Sequence, residues 1–454
     1  MNKKITLFLV IALGFITISN AQHLKRRAYL GAAIKNINDS TAKSNQLKST
    51  EGVIIQQLYE DGTAKKIGLQ SGDILLLING KKISKRSDFN QIISKISEDD
   101  IIDFTFSRNK KEKTLKGKVI GYKPDKYEYA DVIYDEIPFE NGYLRNVIIK
   151  PKGIEKCPVL FFIQGYTCAS IDNMGNDHPY EKLLMEVVKN GIAVFKVEKP
   201  GMGDCKGTAA CEDIDFFTEL NAFEKAYQCI PNYTFLDTAN IFIFGHSMGG
   251  VIAPIMHRTP EAKGISVYGT VTRSWFEYFV EMSRIQLTIS GEDYKDNENM
   301  FATRLKFNYE YLINKKTPLE LSKDSTLAEL LKTEWEYQSP DKITGRNYKY
   351  WQQLQDVSML KGWADYKGKV LSIWGECDFV AFSKLDHEWI ADIVNTYHPG
   401  NGKFISLPNS DHAFTFNNNM KEAAANWTNG SYRKTHFNDS ISKTLLKWIK
   451  ENEK

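Results

Sequence analysis

Residues 241–256 constrain the fold of this 454-residue chain more than any other stretch. Ile241-Phe242-Ile243-Phe244 is a run of four apolar residues, the pattern of a strand buried on both faces. It leads directly into Gly245-His246-Ser247-Met248-Gly249-Gly250, and residues 251–256 continue as an apolar stretch of helical propensity. A strand, a tight turn and a helix in that order leave room only for small residues around the serine, which the glycines supply. The serine hydroxyl is then held at the end of a sheet beside a backbone N–H, an arrangement with few uses other than nucleophilic attack.

From about residue 130 onward, apolar strands alternate with amphipathic helices, which predicts a parallel sheet in an α/β architecture. Strands are expected at 146–151, 159–163, 192–197, 265–271, 369–374 and 403–407, and helices at 181–190, 215–229 and 441–449. Residues 272 to about 362 interrupt that rhythm. They are rich in Glu, Lys, Tyr and Trp, carry helical pieces at 300–312 and 327–337, and read as a lid of helices inserted between sheet strands.

Residues 26–121 differ in character: short strands, glycine turns and one amphipathic helix in which Phe89, Ile92, Ile93 and Ile96 recur at helical spacing. Asn79-Gly80 marks a tight hairpin, and residues 103–107 and 114–119 flank a second turn at Asn109-Lys110. The polar, proline-containing residues 122–129 read as a linker to a second domain at 130–454.

Ahead of both, Lys3 and Lys4 precede an apolar run at 5–18 and the small-residue site Ser19-Asn20-Ala21, which predicts a signal peptide over residues 1–21. The run falls short of the ~20 residues a spanning helix needs, so the mature protein is expected to be exported, periplasmic or secreted, without a transmembrane span. Export permits disulfides among the six cysteines. Cys205 and Cys211 are one candidate pair, and Cys168 could also reach their loop. No CxxC spacing supports a metal site. Fifty-nine basic against 56 acidic residues leave a net charge of +3, which offers nothing to nucleic acid.

A serine hydroxyl needs a neighbouring base. His412 follows the last expected strand, in Leu407-Pro408-Asn409-Ser410-Asp411-His412, and so sits at the sheet edge where such folds build sites. His246, His387 and His436 lie in the turn, in a helix and in a tail loop. Asp378, after the strand ending at Trp374-Gly375, is the expected acid that orients the base, with Glu376, Asp365 and Asp411 as competitors. Two N–H groups should hold the oxyanion: that of Met248, and that of Tyr166 in Gln164-Gly165-Tyr166-Thr167.

Residues 68–83, Gly-Leu-Gln-Ser-Gly-Asp-Ile-Leu-Leu-Leu-Ile-Asn-Gly-Lys-Lys-Ile, resemble the signature of a PDZ domain of the bacterial protease-associated type. The resemblance implies that Tyr29, Leu30, Gly31 and Ala32 form the loop that holds a peptide's terminal carboxylate, although a spacer or intramolecular regulator that binds no free peptide would look the same. Residues 130–454 resemble the α/β-hydrolase superfamily at the Ser247 turn, at Gln164-Gly165, at Gly375 with Asp378, and at Asp411-His412. Glu198-Lys199-Pro200-Gly201-Met202-Gly203-Asp204 is similar to the loop after the fourth strand in esterases, lipases and serine aminopeptidases of that fold. The usual His-Gly of the oxyanion loop is Gln164-Gly165 here, a change that a backbone donor tolerates. The resemblance implies acyl transfer through Ser247, His412 and Asp378, with no metal or organic cofactor.

Three readings stay open. The first is a carboxylesterase acting on a small-molecule ester beneath lid aromatics Trp275, Phe276, Tyr278, Phe279, Tyr309 and Tyr311. The second is a serine peptidase fed by the PDZ domain, with Glu277, Glu281, Glu334 or Glu336 holding a substrate amine. The third is a binding protein with a vestigial Ser247.

Overall fold

The computed structural model describes residues 23–453 apart from Asn45, Lys48 and Gln338. The expected leader at 1–21 lies outside the described residues. The first sheet contains β1 (Ala32–Asn36), β2 (Val53–Leu58), β3 (Ile74–Ile78), β4 (Lys81–Lys82), β5 (Ile101–Arg108) and β6 (Lys111–Lys118). The order is β1-β2-β3-β5-β6, with β4 on β3, and every pairing is antiparallel. Local chemistry sets both hairpins. Asn79 and Gly80 both take positive φ (49° and 71°), as do Asn109 and Lys110 (52° and 64°), the twin left-handed residues that let strands twist back on each other. Val53, Ile78, Ile102, Phe104 and Phe106 form a fully buried core beneath this sheet.

The second sheet runs β7 (Ala130–Phe139), β8 (Gly142–Pro151), β9 (Cys157–Ile163), β10 (Ala193–Val197), β11 (Leu236–His246) and β12 (Gly264–Tyr268). After an insertion that carries the short hairpin β13 (Lys342–Ile343) and β14 (Arg346–Asn347), it closes with β15 (Lys369–Gly375) and β16 (Gly402–Leu407). The spatial order is β7-β8-β10-β9-β11-β12-β15-β16. Successive residues of β9 face opposite layers. Phe161 and Ile163 pack with helices Phe216–Gln228, Met248–Ile255 and Lys384–Tyr397, whereas Leu160 and Phe162 pack with helices Pro179–Lys189 and Ser440–Asn452. Burying one such side chain contributes about 2 kcal/mol. Eight strands in this order, with helices on both faces, are the α/β-hydrolase fold.

The sheet, expected to be parallel, is mixed at one edge. β7 pairs antiparallel with β8, and β8 antiparallel with β10, while β9 to β12, β15 and β16 are parallel. A hairpin at Glu140 (φ 50°) makes this edge, and β7 carries no buried apolar run, since only three of its ten side chains are buried.

Helices Trp275–Ile289, Tyr294–Asn308, Pro318–Leu321, Ser325–Thr333, Lys349–Gln355 and Met359–Asp365 make up the insertion between β12 and β15. Its entry is fixed by a reciprocal capping box, in which the Ser274 hydroxyl accepts from the Glu277 N–H and the Glu277 carboxylate accepts from the Ser274 N–H.

The segment leading into β1 is anchored on the second sheet. The buried Arg26 guanidinium donates to Asp172 and Asp204, both at 2.6 Å, and lies over the Tyr134 ring. Residues 122–129 are also held, since Asn173 Nδ2 donates to the Lys123 carbonyl and to Asp125 Oδ1.

Candidate active site

β11 ends at His246, and Ser247 stands between it and the helix Met248–Ile255 with φ 56° and ψ −119°. A non-glycine residue in that region is strained and persists only where its surroundings over-determine it. The neighbouring glycines do so. A Cβ on Gly249 would lie 2.1 Å from the Ile163 carbonyl oxygen, and one on Gly245 would lie 2.4 Å from that of Gly249. β9, β11 and the helix therefore meet too closely for any side chain, and Ser247 is left half-buried at the crest.

His412 and Asp378 meet in the interior. His412 Nδ1 lies 2.8 Å from Asp378 Oδ2, and both side chains are nearly or wholly shielded from water. The other Asp378 oxygen accepts the N–H groups of Val380 (2.9 Å) and Ala381 (2.7 Å). Burial works against the charged carboxyl, but the His412 ring and the Ala381 N–H outweigh it and hold Asp378 below the usual carboxylate range. The competing acids are engaged elsewhere or exposed. Asp411 ties its own loop together through Ala413, Thr415 and Asn417, Glu376 accepts from Ser406, and Asp365 faces solvent.

Ser247 and His412 open on one cavity of about 230 Å³, with Tyr166 and Met248 beside them. No hydrogen bond links Ser247 Oγ to the His412 ring among the described residues. The N–H groups of Tyr166 and Met248 have no protein acceptor among the described residues, which leaves both available to an oxyanion. Gly165 lies against Ser247, where a Cβ would sit 3.1 Å from Ser247 Cβ.

Several further groups hold this arrangement through contacts that no sequence motif marks. His246 Nε2 lies 2.8 Å from the His412 carbonyl oxygen, so Nε2 carries the proton, and Nδ1 accepts from the Tyr180 hydroxyl. Burial pushes His246 down to about 3 and keeps it neutral. The buried Tyr268 hydroxyl contacts Ser410 Oγ (2.9 Å) and the Asp411 carbonyl (2.7 Å), steadying the His412 loop. His387 Nε2 accepts the Thr270 N–H at 3.1 Å. His436 is exposed in its tail loop.

Of the six lid aromatics, Trp275, Tyr278 and Phe279 line the cavity, joined by Trp351, which the sequence reading did not name. Tyr311 is buried in the lid core, Phe276 is half-buried, and Tyr309 is exposed. None of the four lid glutamates lines the cavity. Glu281 pairs with Arg273, Glu334 with Arg304, Glu277 caps its helix, and Glu336 is exposed. Of the candidate cysteines, Cys205 does not pair with Cys211. Cys168 and Cys211 form the disulfide (Cα–Cα 5.7 Å), joining the loop after β9 to the loop after β10, while Cys205 stays a thiol turned inward beside Arg145.

Tyr29, Leu30, Gly31 and Ala32 lie apart from this cavity, at the start of edge strand β1. The Tyr29, Leu30 and Gly31 carbonyls accept from Thr63, Ala64 and Tyr59, and the Leu30 and Gly31 N–H groups have no acceptor among the described residues. Residues 28–119 match the family model described as PDZ domain. That segment is a PDZ domain.

Over 194 residues the chain is 25% identical to a probable periplasmic serine endoprotease DegP-like of Marinomonas sp. (strain MWYL1), covering 37% of this chain and 41% of that protein. Over 99 residues it is 33% identical to a protein of the same name from Ectopseudomonas mendocina (strain ymp), covering 22% of this chain and 21% of that protein. The chain thus spans less than half the length of these curated relatives. Est1E from Butyrivibrio proteoclasticus is a solved structure with a TM-score of 0.42 and 15% identity, covering 70% of this chain and 98% of that one. The α/β-hydrolase assignment rests on strand order and on the Ser247 turn.

Proposed function

We propose that this protein is a serine hydrolase that cleaves a carboxylic ester through an acyl-enzyme on Ser247. The observation that carries the reading is the buried His412–Asp378 pair opening, together with Ser247, on an apolar cavity. His412 Nε2 takes the Ser247 proton as Oγ attacks the carbonyl carbon. The N–H groups of Met248 and Tyr166 stabilise the oxyanion, and collapse expels the alcohol with the proton from His412. Water, deprotonated by the same imidazole, then releases the acid. Asp378 keeps Nδ1 protonated throughout and offsets the imidazolium charge.

A neutral ester suits the cavity better than a free amine. Its walls are mostly apolar, including Trp275, Tyr278, Phe279, Met282 and Trp351, with no carboxylate among the described lining residues. We assign residues 1–21 to a leader, 26–121 to the PDZ domain, and 130–454 to the hydrolase domain with its lid at about 272–362. Export to an oxidising compartment, periplasmic or extracellular, fits the Cys168–Cys211 bond and the word periplasmic in the relatives' names. The PDZ domain's β1 edge and the Leu30 and Gly31 N–H groups, without partners among the described residues, suit the carboxyl terminus of a peptide, as ligand or regulator.

Turnover of p-nitrophenyl esters against aminoacyl-anilides tests the reading. Ester cleavage without anilide cleavage is the expected result. Anilide cleavage alone would overturn it in favour of a peptidase that recruits substrates through its PDZ domain.

A further inference from the structure

Three charged side chains that take no part in the triad are buried beside it. Lys199 follows β10, Glu219 lies in helix Phe216–Gln228, and Arg346 comes from β14 of the insertion; none is more than 1% exposed. Lys199 Nζ lies 3.0 Å from one Glu219 oxygen, the Arg346 guanidinium holds the other, and the Tyr350 hydroxyl donates to the first at 3.1 Å. A buried ionic group of this kind adds little stability over an apolar replacement, so its presence calls for another use.

Both cations also donate to the carbonyls of two neighbouring peptides. Lys199 Nζ donates to the Gly165 carbonyl at 2.6 Å and to the Tyr166 carbonyl at 3.2 Å. Arg346 Nη1 donates to the Tyr166 carbonyl at 2.9 Å. The Gly165 carbonyl and the Tyr166 N–H belong to the same planar trans peptide, so they point in opposite directions. Drawing the carbonyl down onto Lys199 therefore turns the Tyr166 N–H the other way. The Arg346 bond fixes the next peptide plane, and residues 344–351 grip the side chain as well. The Tyr166 hydroxyl donates to the Thr344 carbonyl at 2.9 Å, and its ring stacks on Trp351 with centroids 4.9 Å apart.

We propose that Lys199 and Arg346 are positioning residues that aim the Tyr166 N–H at the oxyanion, with Glu219 holding both cations in place. The inference rests on acyl transfer at Ser247. Removing an oxyanion donor outright costs about 10²- to 10³-fold in kcat, so misaiming one should cost about 10- to 100-fold.

The test uses the full chain and its Lys199→Met, Arg346→Met and Arg346→Lys variants, with active sites counted by fluorophosphonate titration. Arg346→Lys keeps a cation against Glu219 but loses the planar fork whose separate nitrogens reach Glu219 and the Tyr166 carbonyl. The expected result is kcat per titrated site for a p-nitrophenyl ester lowered about 10- to 100-fold in the methionine variants. KM should change less than about threefold, affinity for a trifluoromethyl ketone should fall by the same factor as kcat, and the acidic limb of the pH–rate profile should not move. Arg346→Lys should fall between. Per-site kcat and ketone affinity within about twofold of the native protein in Lys199→Met and Arg346→Lys, with only the thermal midpoint lowered, would reduce the cluster to structural support and overturn the proposal. Absence of labelling and turnover in the native protein would instead sink acyl transfer itself, and this inference with it.

Discussion

His246 has two duties at the residue scale. Its backbone belongs to the turn that presents Ser247, and its ring donates to the His412 carbonyl. Accepting from the Tyr180 hydroxyl at Nδ1 needs a neutral imidazole, and burial ensures one by lowering the pKa from 6.5 to about 3. The sign for stability follows by linkage. Between those two values the unfolded chain binds a proton that the folded chain refuses, so stability falls as pH falls through this window. The contribution of this one group between pH 7 and pH 5 is about 2 kcal/mol. Urea unfolding at the two pH values should show the loss, and His246→Gln should flatten the dependence by about that amount. An unchanged slope in the variant would remove His246 from the account. Asp378 adds to acid sensitivity lower down: its folded pKa lies below its unfolded one, so its contribution is complete above the unfolded value and is lost as pH falls through the folded one.

The decisive element is the β11–turn–helix unit, where sterics rather than propensity set the sequence. Gly249→Ala puts a methyl group about where the Ile163 carbonyl oxygen already stands. Overpacking against backbone costs about 1–3 kcal/mol or more, and relief by separating β9 from the helix would also move Gly165. Lower thermal stability and loss of ester turnover should therefore appear together in that variant, and a fully active, equally stable Gly249→Ala protein would contradict the packing described. Such local features were readable in the sequence: the turn glycines, the paired left-handed residues at Asn79-Gly80, and the strand ends before Asp378 and His412. The features that escaped depend on partners remote in the chain. Cys168 rather than Cys205 meets Cys211, and Arg346 reaches Glu219 across 127 positions. The half-buried β7 lacks the apolar run that identified β9 and β11.

At the scale of the whole molecule, two sheets of different character are joined through charge. Arg26, six residues before β1, is buried between Asp172 in the loop after β9 and Asp204 in the loop after β10, the same two loops that the Cys168–Cys211 bond ties together. Arg145 also reaches Asp204, at 3.1 Å. Arg26→Ala leaves two buried carboxylates short of a cation, a change that typically costs about 3–5 kcal/mol. Denaturant unfolding should show a loss of that order, with protease cleavage appearing near residues 23–29; an unchanged midpoint would mean the two parts are held together some other way. The central claim, that Ser247 is the nucleophile of a serine hydrolase, is tested most directly by labelling with a fluorophosphonate and locating the adduct by mass spectrometry. One adduct on Ser247, absent in Ser247→Ala and sharply reduced in His412→Ala, is the expected result, whereas labelling undiminished in Ser247→Ala would contradict it.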